Sequence, residues 1–288
     1  MTLEITPMGA ALGAVVSGLD LSQKLAAETV ERLRNAWLEH IVLVYHGQDL
    51  SDPQLLDFTR YFGELEYPPS KLLNYSQGSG QKDDIPLEIN VISNVIENGK
   101  KIGQLGNAEA KWHTDTPFVE RPPAASILHA WELPPSGGNT CFMNMYAVLE
   151  ALPAELLAKI EGKKCKHDVS HTSDGVLRHD YDDSPDAKSC PGPWHPMIRT
   201  HPDSGRKALY LGKRAWAYIE GTTTEENEEI LDAIWAIAER PEFVYEHVWT
   251  QGDVLMWDNR CAMHRRDEFD GSQRRIMHRS QLRGDIPV

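Results

Sequence analysis

The chain has 288 residues, of which 41% are hydrophobic and 25% charged, as is usual for a soluble globular protein. Nothing in the sequence resembles a linker or an internal repeat, so we expect a single domain over residues 1–288. The formal net charge of −14 argues against a nucleic-acid partner, because binding to phosphates needs a basic surface.

The start of the chain and its cysteines indicate a cytoplasmic protein. Residues 1–5 lack the basic start and apolar run of a signal peptide, and no stretch approaches the roughly 20 apolar residues of a membrane span. The four cysteines lie far apart and form no C-x-x-C motif, so we expect reduced thiols rather than a disulfide framework. We therefore predict no membrane partner.

Taken in chain order, the sequence predicts short strands with a smaller number of helices. Apolar residues recur at helical spacing, with capping or stop signals, in residues 22–40, 51–62, 146–161 and 222–240. Short apolar or β-branched runs between turn residues predict strands at 41–45, 89–95, 124–133, 139–142, 243–249, 254–257 and 275–282. Short strands in the majority favour a mainly β fold, an antiparallel barrel or jelly roll, with the helices packed outside it.

Two segments contain no clear helix or strand pattern. Residues 64–88 are polar and rich in Pro, Gly and Ser, and a loop of this length in a compact domain is usually functional or disordered. We interpret it as a loop or lid on the substrate side, with an ordinary surface loop as the alternative. Residues 170–196 are polar and contain three histidines and several aspartates. Their irregular spacing favours a solvated loop or lid over a metal site.

One short stretch, residues 112–118, carries the first candidate metal ligands. His113 and Asp115 are two residues apart, so in an extended strand their side chains point to the same face. The motif alone is weak evidence, because a histidine and an aspartate at this spacing are often structural. Our candidate for a third ligand is His264, far downstream in the chain. Two histidines and one carboxylate on one side of a metal form the facial triad of non-haem Fe(II) oxygenases.

Two arginines near the end of the chain are candidates for binding anions. Arg275 and Arg279 are four residues apart, so they share one face of the predicted strand, with Cα atoms roughly 13 Å apart. Arginine suits carboxylate, sulfonate or phosphate groups, because its planar guanidinium can donate two parallel hydrogen bonds. If that face of the strand is open to solvent, both arginines are ordinary surface charges.

Together these motifs resemble those of the taurine dioxygenase and 2,4-dichlorophenoxyacetate dioxygenase (TauD/TfdA) family of Fe(II)- and 2-oxoglutarate-dependent dioxygenases. The resemblance covers nearly the whole chain and keeps the family's order and spacing. The matching stretches are residues 112–115, 134–140, 200–207, 252–260 and 274–275.

This resemblance implies a double-stranded β-helix, a cupin-like jelly roll, that holds Fe(II) with His113, Asp115 and His264. It also implies that 2-oxoglutarate chelates the iron and that its far carboxylate binds Arg275 and Thr140. With O2, the co-substrate would be converted to succinate and CO2 while a C–H bond of the substrate is oxidised. Family members often form dimers or tetramers, so the resemblance implies a homo-oligomer.

The resemblance also suggests which residues meet the substrate. Arg279 matches a position that binds an anionic substrate group in some members, and Trp257 would line the site. Taurine enzymes carry an asparagine where this chain has Glu109, and a sulfonate would be repelled by that carboxylate. Glu109 is thus either a partner for a substrate ammonium or a carboxylate facing solvent. We expect a small anionic substrate such as an aryloxyalkanoate, another carboxylate, a sulfonate or an amino-acid-like molecule, rather than taurine itself.

Two other classes of function are compatible with the same scaffold. A zinc hydrolase would use the same three ligands, but the sequence offers no convincing general base beside them. A cupin-like binding protein would keep the fold and bind ligand without turnover, and the intact set of metal ligands with Arg275 argues against it. An Fe(II)- and 2-oxoglutarate-dependent dioxygenase is therefore the leading prediction.

Overall fold

The computed structural model describes residues 2–68, 85–104 and 106–288. In these ranges the strands are β1 (Glu4–Pro7), β2 (Ala14–Ser17), β3 (Val42–Tyr45), β4 (Leu65–Glu66), β5 (Asn90–Ser93), β6 (Ile96–Glu97), β7 (Lys100–Lys101), β8 (Ala110–His113), β9 (Ala125–Glu132), β10 (Thr140–Asn144), β11 (Lys164–Lys166), β12 (Trp194–Pro196), β13 (Ile198–Thr200), β14 (Lys207–Leu209), β15 (Tyr218–Ile219), β16 (Val244–His247), β17 (Val254–Asp258), β18 (Ala262–Arg266) and β19 (Ile276–Leu282). The α-helices are α1 (Ala27–His40), α2 (Asp52–Arg60), α3 (Met145–Glu150), α4 (Ala154–Ile160) and α5 (Thr224–Ala238). Among the described residues, no helix has both the length and the apolar character needed to cross a membrane.

Two mostly antiparallel sheets form the centre of the fold. The larger sheet has eight strands in the order β1-β2-β3-β17-β9-β19-β4, with β5 also paired to β19. The smaller sheet has four strands in the order β16-β10-β18-β8. Leu128 and Leu255 of the larger sheet and Phe142 and Met263 of the smaller sheet belong to one buried cluster. The predicted jelly roll, a double-stranded β-helix, is confirmed.

Helices α1 and α2 cover the outer face of the larger sheet. Leu33 and Trp37 of α1 and Phe58 of α2 are buried in a second cluster that also contains Leu43 of β3. The next residue of β3, Val44, belongs instead to the cluster between the two sheets. Successive side chains of a strand point to opposite faces. This strand is therefore buried on both faces, which explains why it is a continuous apolar run in the sequence.

The first predicted helix is shorter than its apolar spacing indicates. We predicted a helix over residues 22–40, but α1 begins at Ala27. The Asp20 carboxylate accepts a hydrogen bond from the backbone N of Ser22 at 2.9 Å, which closes a local turn. Aspartate side chains compete with helical hydrogen bonds in this way, so the chain turns before the helix begins.

The two segments predicted as loops differ in the structure. Residues 65–66 form β4, which pairs with β19, while residues 69–84 lie outside the described residues. Residues 170–193 contain no helix or strand apart from an isolated bridge between His171 and Leu177. Both His171 and His195 are nevertheless buried, so the segment is not simply a solvated loop.

Two buried histidines anchor this segment at its ends. The rings of His167 and His195 have their centroids 5.0 Å apart. His195 Nε2 donates a hydrogen bond to the carbonyl oxygen of Pro117 at 2.9 Å, whereas neither ring nitrogen of His167 has a hydrogen-bond partner among the described residues. Burial lowers the pKa of both histidines, that of His167 well below its ordinary value, so both are neutral at pH 7.

A buried neutral histidine makes folding stability dependent on pH. His167 takes up a proton only when the chain unfolds, so the free energy of unfolding should fall as the pH drops below about 6.5. We expect the variant His167→Leu to lose one proton from this dependence, a slope smaller by roughly 1.4 kcal/mol per pH unit between pH 6 and 5. Urea denaturation at several pH values measures the slope. Equal slopes in the two proteins would mean that His167 is protonated in the folded state.

Candidate active site

The three predicted metal ligands lie together at the edge of the smaller sheet. His113 is the last residue of β8, and it is directly opposite His264 of β18 in the strand register. Asp115 follows two residues beyond the end of β8. One ligand atom from each of the three side chains lies within 4.8 Å of the others. The imidazole centroids are 4.3 Å apart, and His264 Nε2 is 3.9 Å from Asp115 Oδ1.

The carboxylate of Asp115 is fixed by hydrogen bonds to both of its oxygens. Arg279 Nη1 donates to Oδ1 at 2.5 Å, and Ser126 Oγ donates to Oδ2 at 2.5 Å. Ser126 Oγ also accepts hydrogen bonds from Asn259 Nδ2 and Gln281 Nε2, each at 3.0 Å. Because both amides donate to the serine oxygen, its own hydrogen is directed to the carboxylate.

The protonation states of the three residues suit a divalent metal. Burial alone would raise the pKa of Asp115, but the charge of Arg279 above all, with the hydrogen bond from Ser126, lowers it to about 2. Burial, with a contribution from His113, lowers the pKa of His264 to about 3, and burial also lowers the pKa of His113. His113 Nδ1 donates to the carbonyl oxygen of Lys111 at 2.6 Å, which leaves Nε2 as an electron-pair donor. One carboxylate and two neutral imidazoles are the states that metal ligation requires.

Trp257 supports the ligands from the core side. Its ring centroid lies 4.9 Å from that of His264, and its Nε1 donates to Asn259 Oδ1 at 2.8 Å. Trp257 is 1% exposed and is absent from the described residues that line the cavity beside the ligands. Trp257 therefore lies behind His264. There it packs against the imidazole of His264 and orients the Asn259 amide, which donates to Ser126.

Arg275 and Thr140, the predicted residues for 2-oxoglutarate, are both buried. Arg275 Nη2 donates to the carbonyl oxygen of Gly138 at 3.4 Å, and its Nε has no hydrogen-bond partner among the described residues. A Cβ atom on Gly138 would lie 3.1 Å from that Nε, so the glycine leaves room for the guanidinium. Thr140 Oγ1 accepts a hydrogen bond from Trp249 Nε1 at 3.0 Å. A buried guanidinium with an unused donor suits a carboxylate ligand.

A cavity of about 80 Å³ lies beside His113 and Asp115. The turn 116–118 forms one wall and residues 171–173 form part of another. The charged side chains on its described lining, apart from Asp115, are cations: Arg178, Lys213 and Arg279. Two of these, Arg178 and Lys213, were not among the predicted site residues, because nothing in the sequence connects these positions with the metal ligands.

Each of the three cations is held at the cavity by contacts of its own. Arg279 is paired with Asp115. Lys213 Nζ donates to the carbonyl oxygen of His171 and lies 3.7 Å from Asp168 Oδ2, and burial lowers its pKa to about 8. Arg178 packs its guanidinium on the ring of Phe118, with Cζ 4.9 Å from the ring centroid. Its backbone N donates to the carbonyl oxygen of Ser170 at 2.7 Å, so the side chain extends from a fixed position.

Glu109 is not brought to the metal ligands. Its side chain is 56% exposed and lies 3.7 Å from Arg265 Nη1. It lines a different cavity, together with Trp112 and Trp216. The pairing register between β8 and β18 shifts between His264 and Arg266, which interrupts the alternation of side chains before His113. Of the two roles considered for Glu109, the solvent-facing carboxylate matches this position.

A jelly roll that presents two histidines and a carboxylate beside a buried arginine defines a non-haem Fe(II) oxygenase of the 2-oxoglutarate-dependent class. The model of the "Taurine catabolism dioxygenase TauD, TfdA family" matches residues 4–281, and the chain belongs to this family. An alpha-ketoglutarate-dependent 2,4-dichlorophenoxyacetate dioxygenase of Cupriavidus pinatubonensis is 34% identical over 100% of both chains. Pentalenolactone F synthase of Streptomyces avermitilis is 35% identical over 97% of this chain and 94% of its own.

A solved structure agrees with this assignment. The crystal structure of AAD-2 in complex with Mn(II) and N-oxalylglycine superposes with a TM-score of 0.80 at 33% identity, and the match covers 100% of this chain and 99% of that chain. The protein is thus an Fe(II)- and 2-oxoglutarate-dependent dioxygenase, and its co-substrates are 2-oxoglutarate and O2.

Ser126 should contribute to metal affinity without touching the metal. The variant Ser126→Ala leaves Asp115 Oδ2 without its donor and removes the acceptor shared by Asn259 and Gln281. Loss of a group that orients a metal ligand typically costs 10- to 100-fold in affinity, so we expect Fe(II) binding to weaken about tenfold. Anaerobic titration measures this constant. The control is Ser280→Ala, a buried serine that instead hydrogen-bonds Thr59. Equal Fe(II) affinities in the two variants would contradict the assignment.

Proposed function

We propose that this dioxygenase oxidises a C–H bond of a small organic anion. The observation that carries this proposal is the charge of the cavity beside the metal ligands, where three cations line the described wall and the only described carboxylate belongs to a metal ligand. In a buried site such charges act at low dielectric, so an anionic group is favoured and a cationic one is repelled. The related dioxygenase for 2,4-dichlorophenoxyacetate, itself an organic anion, supports the same class of substrate.

The residues have separate tasks in this proposal. His113, Asp115 and His264 would hold Fe(II), while Arg275 and Thr140 would hold the far carboxylate of 2-oxoglutarate. When bound, the metal and co-substrate supply the oxidising chemistry, in which 2-oxoglutarate is converted to succinate and CO2 as the substrate is oxidised. The protein supplies ionised and neutral ligands in the correct states, a fixed orientation for Asp115, and a cavity of about 80 Å³ beside them.

Arg279 and Arg178 would face the anionic group of the substrate from different elements. Arg279 lines the cavity from β19, but one of its nitrogens already donates to Asp115. Lys213 has its charge partly offset by Asp168. Arg178 reaches the cavity wall from another segment, with its guanidinium against the ring of Phe118, so we assign recognition of the anion to Arg178 together with Arg279.

The proposal also includes the organisation of the protein. We propose a single domain over residues 1–288 that acts in the cytoplasm and assembles as a homodimer or homotetramer. The four cysteines are free and buried, which fits a reducing compartment. The net charge of −14 supports a small-molecule substrate rather than nucleic acid.

A screen for coupled succinate release tests the reaction and the substrate class. We expect succinate above background with Fe(II), 2-oxoglutarate and an anionic probe such as phenoxyacetate, another carboxylate or a sulfonate. Matched neutral probes such as phenoxyacetamide should not raise it, and Asp115→Ala should abolish it. A zinc hydrolase would release no succinate, and a binding protein would bind 2-oxoglutarate without releasing CO2. Equal stimulation by the acid and its amide would contradict an anionic substrate.

Arg178→Gln tests the proposed recognition of the substrate anion. Hydrogen bonds to a charged group contribute about 1.5–3 kcal/mol, so KM for the anionic substrate should rise roughly tenfold or more. We expect kcat and KM for 2-oxoglutarate to stay within about twofold. The control is Arg121→Gln, which removes an exposed arginine a few residues beyond Phe118. If both variants behave alike while Arg279→Gln raises KM, recognition belongs to Arg279.

A further inference from the structure

Thr114 separates two of the proposed metal ligands, His113 and Asp115, and its side chain holds the chain between them. β8 ends at His113, and residues 114–120 contain no helix or strand, so strand pairing does not fix the backbone that carries Asp115. Thr114 is 2% exposed, and its Oγ1 donates to the carbonyl oxygen of Asn259 at 2.8 Å. This buried hydrogen bond therefore attaches the segment to another part of the fold at a point between the two ligands.

The acceptor of this hydrogen bond belongs to a well-anchored turn. Asn259 lies between β17 of the larger sheet and β18 of the smaller sheet, and its backbone N donates to the carbonyl oxygen of Ala124 at 2.9 Å. In the same turn the two carboxylate oxygens of Asp258 accept hydrogen bonds from Arg260 at 2.9 and 2.7 Å, and both side chains are buried. Hydrogen bonds between ionised groups are among the strongest in proteins, so the turn is a firm point of attachment for Thr114.

The same turn also reaches the carboxylate of Asp115. Asn259 Nδ2 donates to Ser126 Oγ at 3.0 Å, and Ser126 Oγ donates to Asp115 Oδ2. The turn is therefore connected with Asp115 by two routes, one through the backbone at Thr114 and one through the carboxylate at Ser126. The first route fixes where the side chain begins, and the second fixes the direction in which its oxygens point.

The backbone after Asp115 is strained, which makes such an attachment necessary. Thr116 has a φ of 48°, in the left-handed region that β-branched residues rarely adopt. A strained conformation of this kind persists only where the surrounding contacts fix it. If the hydroxyl of Thr114 were lost, residues 114–116 could relax and Asp115 could move away from His264.

We propose that Thr114 is a positioning residue of the metal site. Its hydroxyl fixes the segment that carries His113 and Asp115, so that both can share one metal ion with His264. This inference rests on the proposed function, because it uses the assignment of these three residues to Fe(II). Thr114 would act through its neighbours rather than as a ligand. The hydroxyl group, and not the size of the side chain, should therefore determine the affinity for the metal.

The Fe(II) affinity of two Thr114 variants tests this role by a direct measurement of binding. Each protein is titrated anaerobically with Fe(II) alone. Thr114→Val keeps the shape of the side chain but lacks the hydroxyl, so the carbonyl oxygen of Asn259 loses this donor. Loss of a group that orients a metal ligand typically costs 10- to 100-fold in affinity, so we expect Kd for Fe(II) to rise roughly tenfold. Thr114→Ser keeps the hydroxyl donor and should raise Kd by no more than about threefold.

A second buried threonine provides a matched control. Thr59 of α2 is 0% exposed, and its Oγ1 donates to the carbonyl oxygen of Leu55 at 2.7 Å. Thr59→Val should destabilise the folded protein to a similar degree and leave Kd for Fe(II) within about twofold of that of the unsubstituted protein. Urea denaturation of the metal-free proteins measures their stability. Thr114→Ala, which also lacks the hydroxyl, takes the place of Thr114→Val if the valine variant does not fold.

Each other outcome overturns the inference at an identifiable step. Equal increases in Kd for the valine and serine variants would mean that the hydroxyl is not what positions the ligands. An equal increase in Thr59→Val would assign the effect to general stability. If Asp115→Ala abolishes Fe(II) binding and Thr114→Val does not weaken it, the proposed ligand set stands and this inference alone fails. If Asp115→Ala binds Fe(II) as tightly as the unsubstituted protein, the ligand set fails, and the role of Thr114 fails with it.

Discussion

The site depends on one carboxylate, that of Asp115, whose hydrogen bonds connect the smaller sheet to the larger one. Asp115 follows a strand of the smaller sheet, yet its two oxygens accept hydrogen bonds from Arg279 and Ser126, which lie on strands of the larger sheet. The histidines that complete the proposed ligand set, His113 and His264, both belong to the smaller sheet. The ligands can therefore adopt their final positions only when the two sheets have packed together. Assembly of the proposed metal site is therefore coupled to the packing of the two sheets.

The charge of this site is opposite to that of the whole protein. The chain has a net charge of −14, but its interior holds buried arginines at positions 266, 275 and 279. A distant surface carboxylate is screened by water and salt, whereas a buried guanidinium acts through a medium of low dielectric constant. The local charge therefore decides which ligands enter. An acidic protein can in this way bind an anionic co-substrate.

The sequence predicted the general architecture because apolar alternation and turn residues directly reflect burial. Strand β3 and the jelly-roll class followed from these patterns. Strand β18, which carries His264, was not predicted, because Ala262–Arg266 contains three charged or titratable residues in five and has no apolar alternation. Its arginine at position 266 is buried against Phe269, and hydropathy assigns such a residue to the surface. Burial of charge is decided by distant partners, which a single sequence does not display.

The sequence predicted the residues of the candidate site where their spacing along a strand determines the direction in which their side chains point. His113 and Asp115 lie together, as the spacing in an extended segment predicts, although β8 ends at His113 and Thr116 has a φ of 48°. The same alternation did not apply to Glu109, because the register shift beside β18 lies between it and the ligands. Arg178 had no signal at all, since its place in the cavity depends on how residues 170–178 fold back on the turn after Asp115.

Arg279 connects the cavity with the carboxylate of Asp115, two parts of the site that lie far apart in the sequence. It lines the cavity and it donates to the metal-ligand oxygen of Asp115 from the same guanidinium. An anion bound to Arg279 from the cavity, as we propose, would compete for the positive charge that keeps Asp115 ionised and oriented. Linkage requires that this effect be reciprocal, so a metal that binds Asp115 more tightly also changes how strongly Arg279 holds the anion. Arg178, a second cation on the described lining of the cavity, would let an anion be held while Asp115 keeps its partner.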